Sequence, residues 1–357
     1  MKQLEVGGVT IGSSVLGELF NSPHATAETV GIVQDYGNGV SAIEFEGDIQ
    51  VIRPLPEGFS ITRYRKLGRA ISEAYDSDYI SFRPGDPQPF SAFFKGEQRS
   101  FICLPYVEGE IIQQPADFLG MGTEFHRGVM RGLAEGERRL TNSAWKDPDL
   151  AELFGPKKWR HVGNSTPIAF RCVQLALSGA LAYIPASLLF DMRRVDLISL
   201  ERSLPRGEYF RQGNCELYIG RPGALLQGKR LILLEVAHAG RVPYPGQDLA
   251  KLVGRTIFPS APKHDHGSKE GCEILVRGAL EVLLENWTFN LDRDDIAMAF
   301  AALVFLQLIE SYADNRWHLE RGKSEAVKAI PDKRVYLQNR LSTAFMVYGD
   351  IFRHLYN

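Results

Sequence analysis

The stretch Tyr36-Gly37-Asn38-Gly39-Val40-Ser41-Ala42-Ile43-Glu44-Phe45-Glu46-Gly47-Asp48-Ile49-Gln50-Val51-Ile52 reads as β-structure broken by tight turns. Asn-Gly between apolar runs is a strong hairpin signal, because both central residues of the favoured turn need positive φ. With Thr29 to Val33 upstream, it predicts three short strands, Thr29–Val33, Val40–Glu46 and Ile49–Ile52, separated at 36–39 and 47–48. A further hairpin is predicted from Phe90–Phe94 and Ser100–Leu104 around Lys95-Gly96-Glu97-Gln98. Between these hairpins Ser60 is placed to cap a helix whose Ile61, Tyr64, Leu67 and Ile71 share a face. The prolines at 84, 87 and 89 leave a loop before the second hairpin.

Further along, periodicity changes from strand to helix. After Pro115 a helix is predicted, with Phe118, Met121, Phe125, Val129 and Leu133 on its buried face. Gly128, Gly132 and Gly136 repeat every four residues along it. Each costs about 1 kcal/mol relative to Ala, so the helix needs something packed closely on the stripe. Residues 166–258 mix strands (Tyr209-Phe210, Glu216–Ile219, Arg230–Val236) with short helices. The last ninety or so residues are helical, with apolar stripes at Cys272, Leu275, Val276, Ala279, Leu283 and at Leu337, Leu341, Phe345, Tyr348, Phe352. The expected fold class is α+β, in three parts: a β-rich region 1–114, a mixed α/β region 115–265 and a helical bundle 266–357.

Composition bounds the function classes. The 357 residues carry 41 Lys+Arg against 43 Asp+Glu, with 44% hydrophobic residues, which is enough apolar material for real cores. The near-zero net charge of −2 excludes a uniformly basic coat protein. Four separated cysteines point to free thiols and a cytoplasmic protein, not a disulfide framework. The most apolar run, Ile296–Leu306, would span only about 16 Å as a helix, so no membrane association is expected.

The search for chemistry gives four candidates. Cys215 to Arg221 has the spacing of a phosphatase loop, but the Glu-Leu-Tyr-Ile between them prefers a strand. His264 and His266, with Cys272 six residues on, are nitrogen and sulfur donors that suit Zn²⁺ and a zinc-binding hydrolase. Lys157-Lys158-Trp159-Arg160 has the basic-plus-aromatic composition used to bind nucleic acid. The pairs Asp76/Asp78 and Asp147/Asp149 are spaced like metal-holding acids. No glycine-rich dinucleotide loop, Walker loop or protein-kinase signature set is present.

Glu216 and Glu235 lie on two neighbouring apolar strands that turn at Pro222-Gly223, with a helix predicted at 247–253. That layout, over residues 214–253, resembles the core of the PD-(D/E)xK nuclease superfamily. The resemblance implies a catalytic group of Glu216, Glu235 and Lys251, with Glu216 and Glu235 holding Mg²⁺. It departs at Ala237, which stands where the catalytic lysine belongs, and Lys251 is the substitute. Residues 191–255 carry eleven Lys/Arg against seven Asp/Glu, in keeping with a nucleic-acid partner. The expectation is a metal-dependent nuclease or a degenerate nuclease-like nucleic-acid-binding protein. A non-catalytic protein-binding inhibitor, adaptor or assembly subunit is the alternative, since no complete catalytic set is visible.

Overall fold

The computed structural model describes residues 2–154, 209–211 and 224–352, apart from 38, 57, 84, 113, 235, 237–238, 243–244, 260–264, 288–292 and 322–324. Two compact units divide it: unit 1 is Met1–Arg69 with Arg83–Glu108, and unit 2 is Ala70–Phe82 with Gly109–Asn357.

Unit 1 is built from β1 (Gln3–Val6), β2 (Val9–Gly12), α1 (Ser13–Leu19), β3 (Gly31–Gly37), β4 (Val40–Phe45), β5 (Asp48–Pro54) and the start of α2 (Ile61–Ala74). After β6 (Ile80–Phe82), which belongs to unit 2, come β7 (Gln88–Phe94) and β8 (Glu97–Pro105). Seven strands pair antiparallel in the order β1-β2-β7-β8-β5-β4-β3. The turns at Glu46-Gly47 (φ +52° and +85°) and Lys95-Gly96 (φ +53° and +85°) have both central residues left-handed. That conformation matches the twist of flanking strands. The first of these turns falls one residue earlier than the glycine-aspartate break predicts.

Strand alternation gives the sheet two faces. Ile43, Phe45, Ile52 and Phe101 join Leu4, Val6, Val9, Ile11, Leu16 and Leu19 in one buried core. Strands β1 and β2 therefore share this core with the rest of the sheet, and α1 packs into it through Leu16 and Leu19. Each such large apolar side chain contributes about 1.5–3 kcal/mol when fully buried. On β5 the side chains of Val51 and Arg53 alternate to the other face, opposite Leu104 and Ile102 in register. Ser60 caps α2, its Oγ accepting from the Arg63 amide at 3.1 Å, and Tyr64, Leu67 and Ile71 are buried along it.

Unit 2 continues with α3 (Pro115–Leu119), α4 (Thr123–Lys146), α5 (Pro148–Leu153), β9 (Tyr209–Arg211), β10 (Ala224–Gln227), β11 (Arg230–Leu233), β12 (Gly240–Val242) and α6 (Gln247–Ile257). It ends with α7 (Lys269–Asn286), α8 (Arg293–Arg321), α9 (Glu325–Lys328) and α10 (Lys333–Phe352). β11 lies between β10, antiparallel, and β6, parallel, while β12 pairs antiparallel with β9. The glycine stripe of α4 is filled from the segment that follows α2. A Cβ at Gly128 would stand 2.4 Å from the Tyr79 ring, at Gly132 3.0 Å from Ser77 Oγ, and at Gly136 2.4 Å from the Tyr75 ring.

The remaining helices pack on one another. A Cβ at Gly254 of α6 would come within 2.4 Å of Gln307 on α8, so these two helices meet at glycine. Phe305 of α8 meets Phe345 of α10 at 5.4 Å, and the Tyr348 hydroxyl donates to the Ala301 carbonyl at 3.0 Å. The apolar run at 296–306 lies in the middle of α8, with Phe300, Val304 and Phe305 buried. No helix among the described residues is long and apolar enough to cross a membrane. The protein is α+β: an antiparallel sheet, a mixed centre and a helical C-terminal region.

Candidate functional site

The most unusual chemistry in unit 2 is a wholly buried ionic cluster. Glu137 on α4, Arg211 on β9 and Asp248 in the first turn of α6 are each 0% exposed. Arg211 Nη1 donates to Asp248 Oδ1 at 3.3 Å, and the Tyr75 hydroxyl donates to Asp248 Oδ2 at 3.3 Å. Glu137 Oε1 accepts the amide of Gly246 at 2.9 Å. Gly246 has φ +78° and a Cβ there would stand 2.6 Å from Leu283, so both the backbone and the space require glycine. Burial, and then the Asp248 charge, push the Glu137 carboxyl up to about 8.

β9 is held from both sides. Thr141 Oγ1 on α4 accepts the Phe210 amide at 3.0 Å, and Arg241 of β12 lies 5.6 Å over the Phe210 ring. The Arg241 guanidinium also donates to the carbonyls of Phe154 and Ala151, at 3.0 and 2.7 Å. Tyr209 sits between Trp145, at 6.1 Å, and Trp287, at 5.2 Å, and its phenol is raised by burial and by Glu137. Three residues past β9 the sequence reaches Asn214, and two past β11 it reaches Glu235; both lie outside the described residues.

In unit 1 the β3–β4 hairpin turns through Gly37 and Gly39, at φ +77° and +78°, and the Asp35 carboxylate accepts the Gly37 amide at 2.7 Å. Arg53 is half-buried on β5, among Ala42, Ile102 and Leu104, all buried on the neighbouring strands.

No protein-family profile matches the chain, and no curated protein matches it in sequence. Solved structures do. The GDP complex of wild-type aminoglycoside 2′-phosphotransferase-IIIa superposes over 92% of this chain and 97% of its own, with a TM-score of 0.52 at 15% identity. A Ralstonia eutropha protein provisionally assigned as an aminoglycoside phosphotransferase covers 90% of this chain and 93% of its own, with a TM-score of 0.50 at 12% identity. The chain has the fold of these phosphotransferases.

That fold overturns the nuclease expectation. The resemblance over residues 214–253 implied a nuclease-core hairpin ending in Arg230–Val236. Instead β11 pairs with Ala224–Gln227 and, parallel, with Ile80–Phe82. Lys251 is buried at 3% exposure inside α6, whose every residue is buried, not offered at a cleft. Glu216 and Glu235 lie outside the described residues. The nucleic-acid expectation falls with the nuclease, and the protein-binding alternative finds no support, since the structures that share the fold are named as aminoglycoside phosphotransferases; Lys157, Lys158, Trp159 and Arg160 lie outside the described residues.

The zinc expectation is corrected as well. His266 Nδ1 is 2.8 Å from the Ile257 carbonyl and its ring stacks on Phe258 at 5.6 Å. Cys272 is 0% exposed on the buried face of α7, and its thiol is pushed up to about 12 by burial. His264 lies outside the described residues, and no metal-binding group of three His, Cys, Asp or Glu occurs among the described ones. The aspartate pairs have other work: Asp147 caps α5 through the Leu150 amide at 3.2 Å, and Asp76 pairs with Arg230 at 2.6 Å.

Proposed function

We propose that the chain is a small-molecule phosphotransferase, moving the terminal phosphoryl group of a nucleoside triphosphate to a hydroxyl of a small polar substrate. The observation that carries this reading is the order of elements around β9. A kinase catalytic loop reads D-L-x-x-x-N and is followed by the metal-binding acid of D-F-G. Here Tyr209-Phe210-Arg211-Gln212-Gly213-Asn214 repeats that five-residue step, and Glu235 follows the β10–β11 hairpin. In unit 1, β3, β4, β5, β8 and β7 lie side by side, with α2 joining the third of these in sequence to the fourth. Arg53 on the third of these strands stands where a kinase carries its phosphate-binding lysine.

Three positions depart from the kinase set, and each has a chemical consequence. Arg53 keeps the positive charge and adds a planar fork suited to phosphate oxygens. The acid of α2 is Glu73, in its last turn, and not in its first two turns. Tyr209 replaces the aspartate that accepts the substrate proton, and its raised phenol cannot act as a base near neutrality. A general base contributes about 10²–10⁴-fold, so transfer is expected to be slow.

What remains is positioning and charge neutralisation, which make up most of phosphoryl-transfer catalysis. Asn214 and Glu235, an amide carbonyl and a carboxylate, have the donor chemistry of a Mg²⁺ site that keeps its other places for water and phosphate oxygens. Bound there, the ion would neutralise charge on the terminal phosphates. In the transfer the acceptor oxygen bonds to the γ-phosphorus, the bridging β–γ bond breaks and the hydroxyl proton leaves to solvent.

The structural neighbours named for aminoglycosides suggest hydroxyls of amine-bearing compounds as the first acceptors to assay. The test measures nucleotide binding and phosphorylation of a panel of aminocyclitols and aminoalcohols with Mg²⁺. Nucleotide-dependent transfer that Glu235→Ala abolishes supports the reading. Wild-type protein that neither binds ATP or GTP nor phosphorylates any member sinks it.

A further inference from the structure

The buried cluster of unit 2 contains two carboxyl groups and one guanidinium, all at 0% exposure. Glu137 Oε1 accepts the backbone amide of Gly246 at 2.9 Å, and the Asp248 amide, two residues on, also points to the carboxyl group. Its other oxygen, Oε2, has no hydrogen-bond partner among the described residues. A carboxylate leaves that second oxygen as a desolvated negative charge, and Asp248 already holds the contact to Arg211. A carboxylic acid fits better: its carbonyl oxygen accepts the Gly246 amide, and its hydroxyl carries no charge to desolvate.

The groups facing it can be named for each neighbouring element. β9 presents Arg211 and Tyr209, α6 presents Asp248 with the buried Lys251 a turn further on, and the residue after α2 presents Tyr75 through Asp248. α7 presents only the apolar Leu283 beside Gly246. On α4 itself the neighbouring charges, Glu135 and Arg139, pair with each other at 3.1 Å. Among the described residues Arg211 is the cation in contact with Asp248 at this centre, and Lys251 lies a turn further along α6.

We propose that Glu137 is a positioning residue for phosphoryl transfer, acting as a neutral carboxylic acid that ties the first turn of α6 to α4, so that Asp248 on that turn holds Arg211 and with it the strand leading to Asn214. The transfer half of this statement rests on the phosphotransferase reading; the tether itself does not. Burial and Asp248 raise the carboxyl in the direction the geometry requires. When it ionises, a second negative charge is buried beside Asp248, and the tether loosens.

The experiment follows the thermal melting of the full chain from pH 5 to pH 9, and the transfer rate over the same range, for wild type, Glu137→Gln and Glu137→Ala. In wild type melting is expected to fall with rising pH and level off above about pH 8, and kcat at pH 9 to be about tenfold below kcat at pH 7. The isosteric Glu137→Gln, permanently neutral, is expected to keep its melting temperature and its rate across the alkaline range. Glu137→Ala should melt lower at every pH, with kcat reduced and the nucleotide KM little changed. If Glu137→Gln follows the wild-type pH dependence of melting, the neutral tether is wrong whatever the activity. If that dependence vanishes in Glu137→Gln but no protein transfers phosphate, the phosphotransferase reading fails and the tether stands.

Discussion

Gly136 lies directly beneath the ring of Tyr75, where a methyl group on the glycine would stand 2.4 Å from a ring carbon. Both residues are buried, Tyr75 at 1% exposure. The ring cannot swing aside easily, because its hydroxyl also donates to Asp248. Gly136→Ala is therefore expected to destabilise the protein by about 1–3 kcal/mol through overpacking, against a gain in helix propensity of about 1 kcal/mol. Chemical denaturation would show it. An alanine variant more stable than wild type would mean the ring moves freely.

Arg211 and Asp248 form a fully buried pair, and removing one member leaves the other charge uncompensated. Arg211→Met and Asp248→Ala are each expected to cost about 3–5 kcal/mol, measured by urea unfolding. The double variant should lose less than the sum, because the stranded charge has gone. Additive losses would show that the two side chains are not coupled.

Stability against pH follows from the sign of the Glu137 shift. A carboxyl raised above its usual value of 4.5 holds its proton in the folded chain and releases it in the unfolded one. Its contribution is complete below about pH 4.5 and is lost as pH rises through about 8. In that window stability falls steadily as pH rises, because the unfolded chain holds fewer protons than the folded one at this group. Urea midpoints at pH 5.5, 6.5, 7.5 and 8.5, compared with Glu137→Gln, isolate it.

Arg53 gives a prediction for ligand binding. A charge-assisted hydrogen bond contributes about 1.5–3 kcal/mol, so Arg53→Ala should weaken nucleoside triphosphate binding by about tenfold or more, by calorimetry. Nucleoside without phosphates should bind wild type and variant alike. Equal loss for both ligands would place Arg53 in the fold and not at the phosphates.

Cys103 and Cys272, at 1% and 0% exposure, have thiols pushed up to about 12 by burial. Neither is expected to react with iodoacetamide in the native protein at pH 8, and both should react after unfolding; peptide mapping by mass spectrometry distinguishes them. Native labelling at Cys272 would require α7 to open locally.

The local signals of the sequence carry much of the fold. Gly37 and Gly39 mark a turn because the backbone is left-handed there, and Ser60 marks a helix start because its hydroxyl meets an orphan amide. The four-residue glycine repeat marks a close approach, but what approaches, the Tyr75 and Tyr79 rings, lies 61 and 49 residues upstream of Gly136 and Gly128. Strand order was not legible, since pairing β5 with β8 across α2 is a long-range event that no local pattern encodes.

The site was hidden for a different reason. On the proposed reading, Tyr209 and Arg53 replace the residue types by which a kinase set is recognised, leaving only the spacing from Tyr209 to Asn214 and the acid after an apolar strand. That acid, Glu235, is the one on which the nuclease expectation rests, and the fold overturns that expectation. Glu137 had a visible signal: it interrupts the buried row Met130, Leu133, Ala134, Leu140, Thr141 and Ala144 on α4 with a carboxyl group. An acid at core spacing needs buried partners, and Arg211 and Asp248 lie too far along the chain to be read as those partners.

Unit 2 takes Ala70–Phe82 from between the two stretches that make unit 1. A protein begun at Gly109 would therefore lack more than a neighbour. β11 would lose its parallel partner β6, and the groove along Gly128, Gly132 and Gly136 would lose the side chains that fill it. The two units are interleaved along the gene, so neither can be exchanged between proteins or expressed by a single cut. A faithful excision of the second unit needs residues 70–82 rejoined to 109–357 by a new connection.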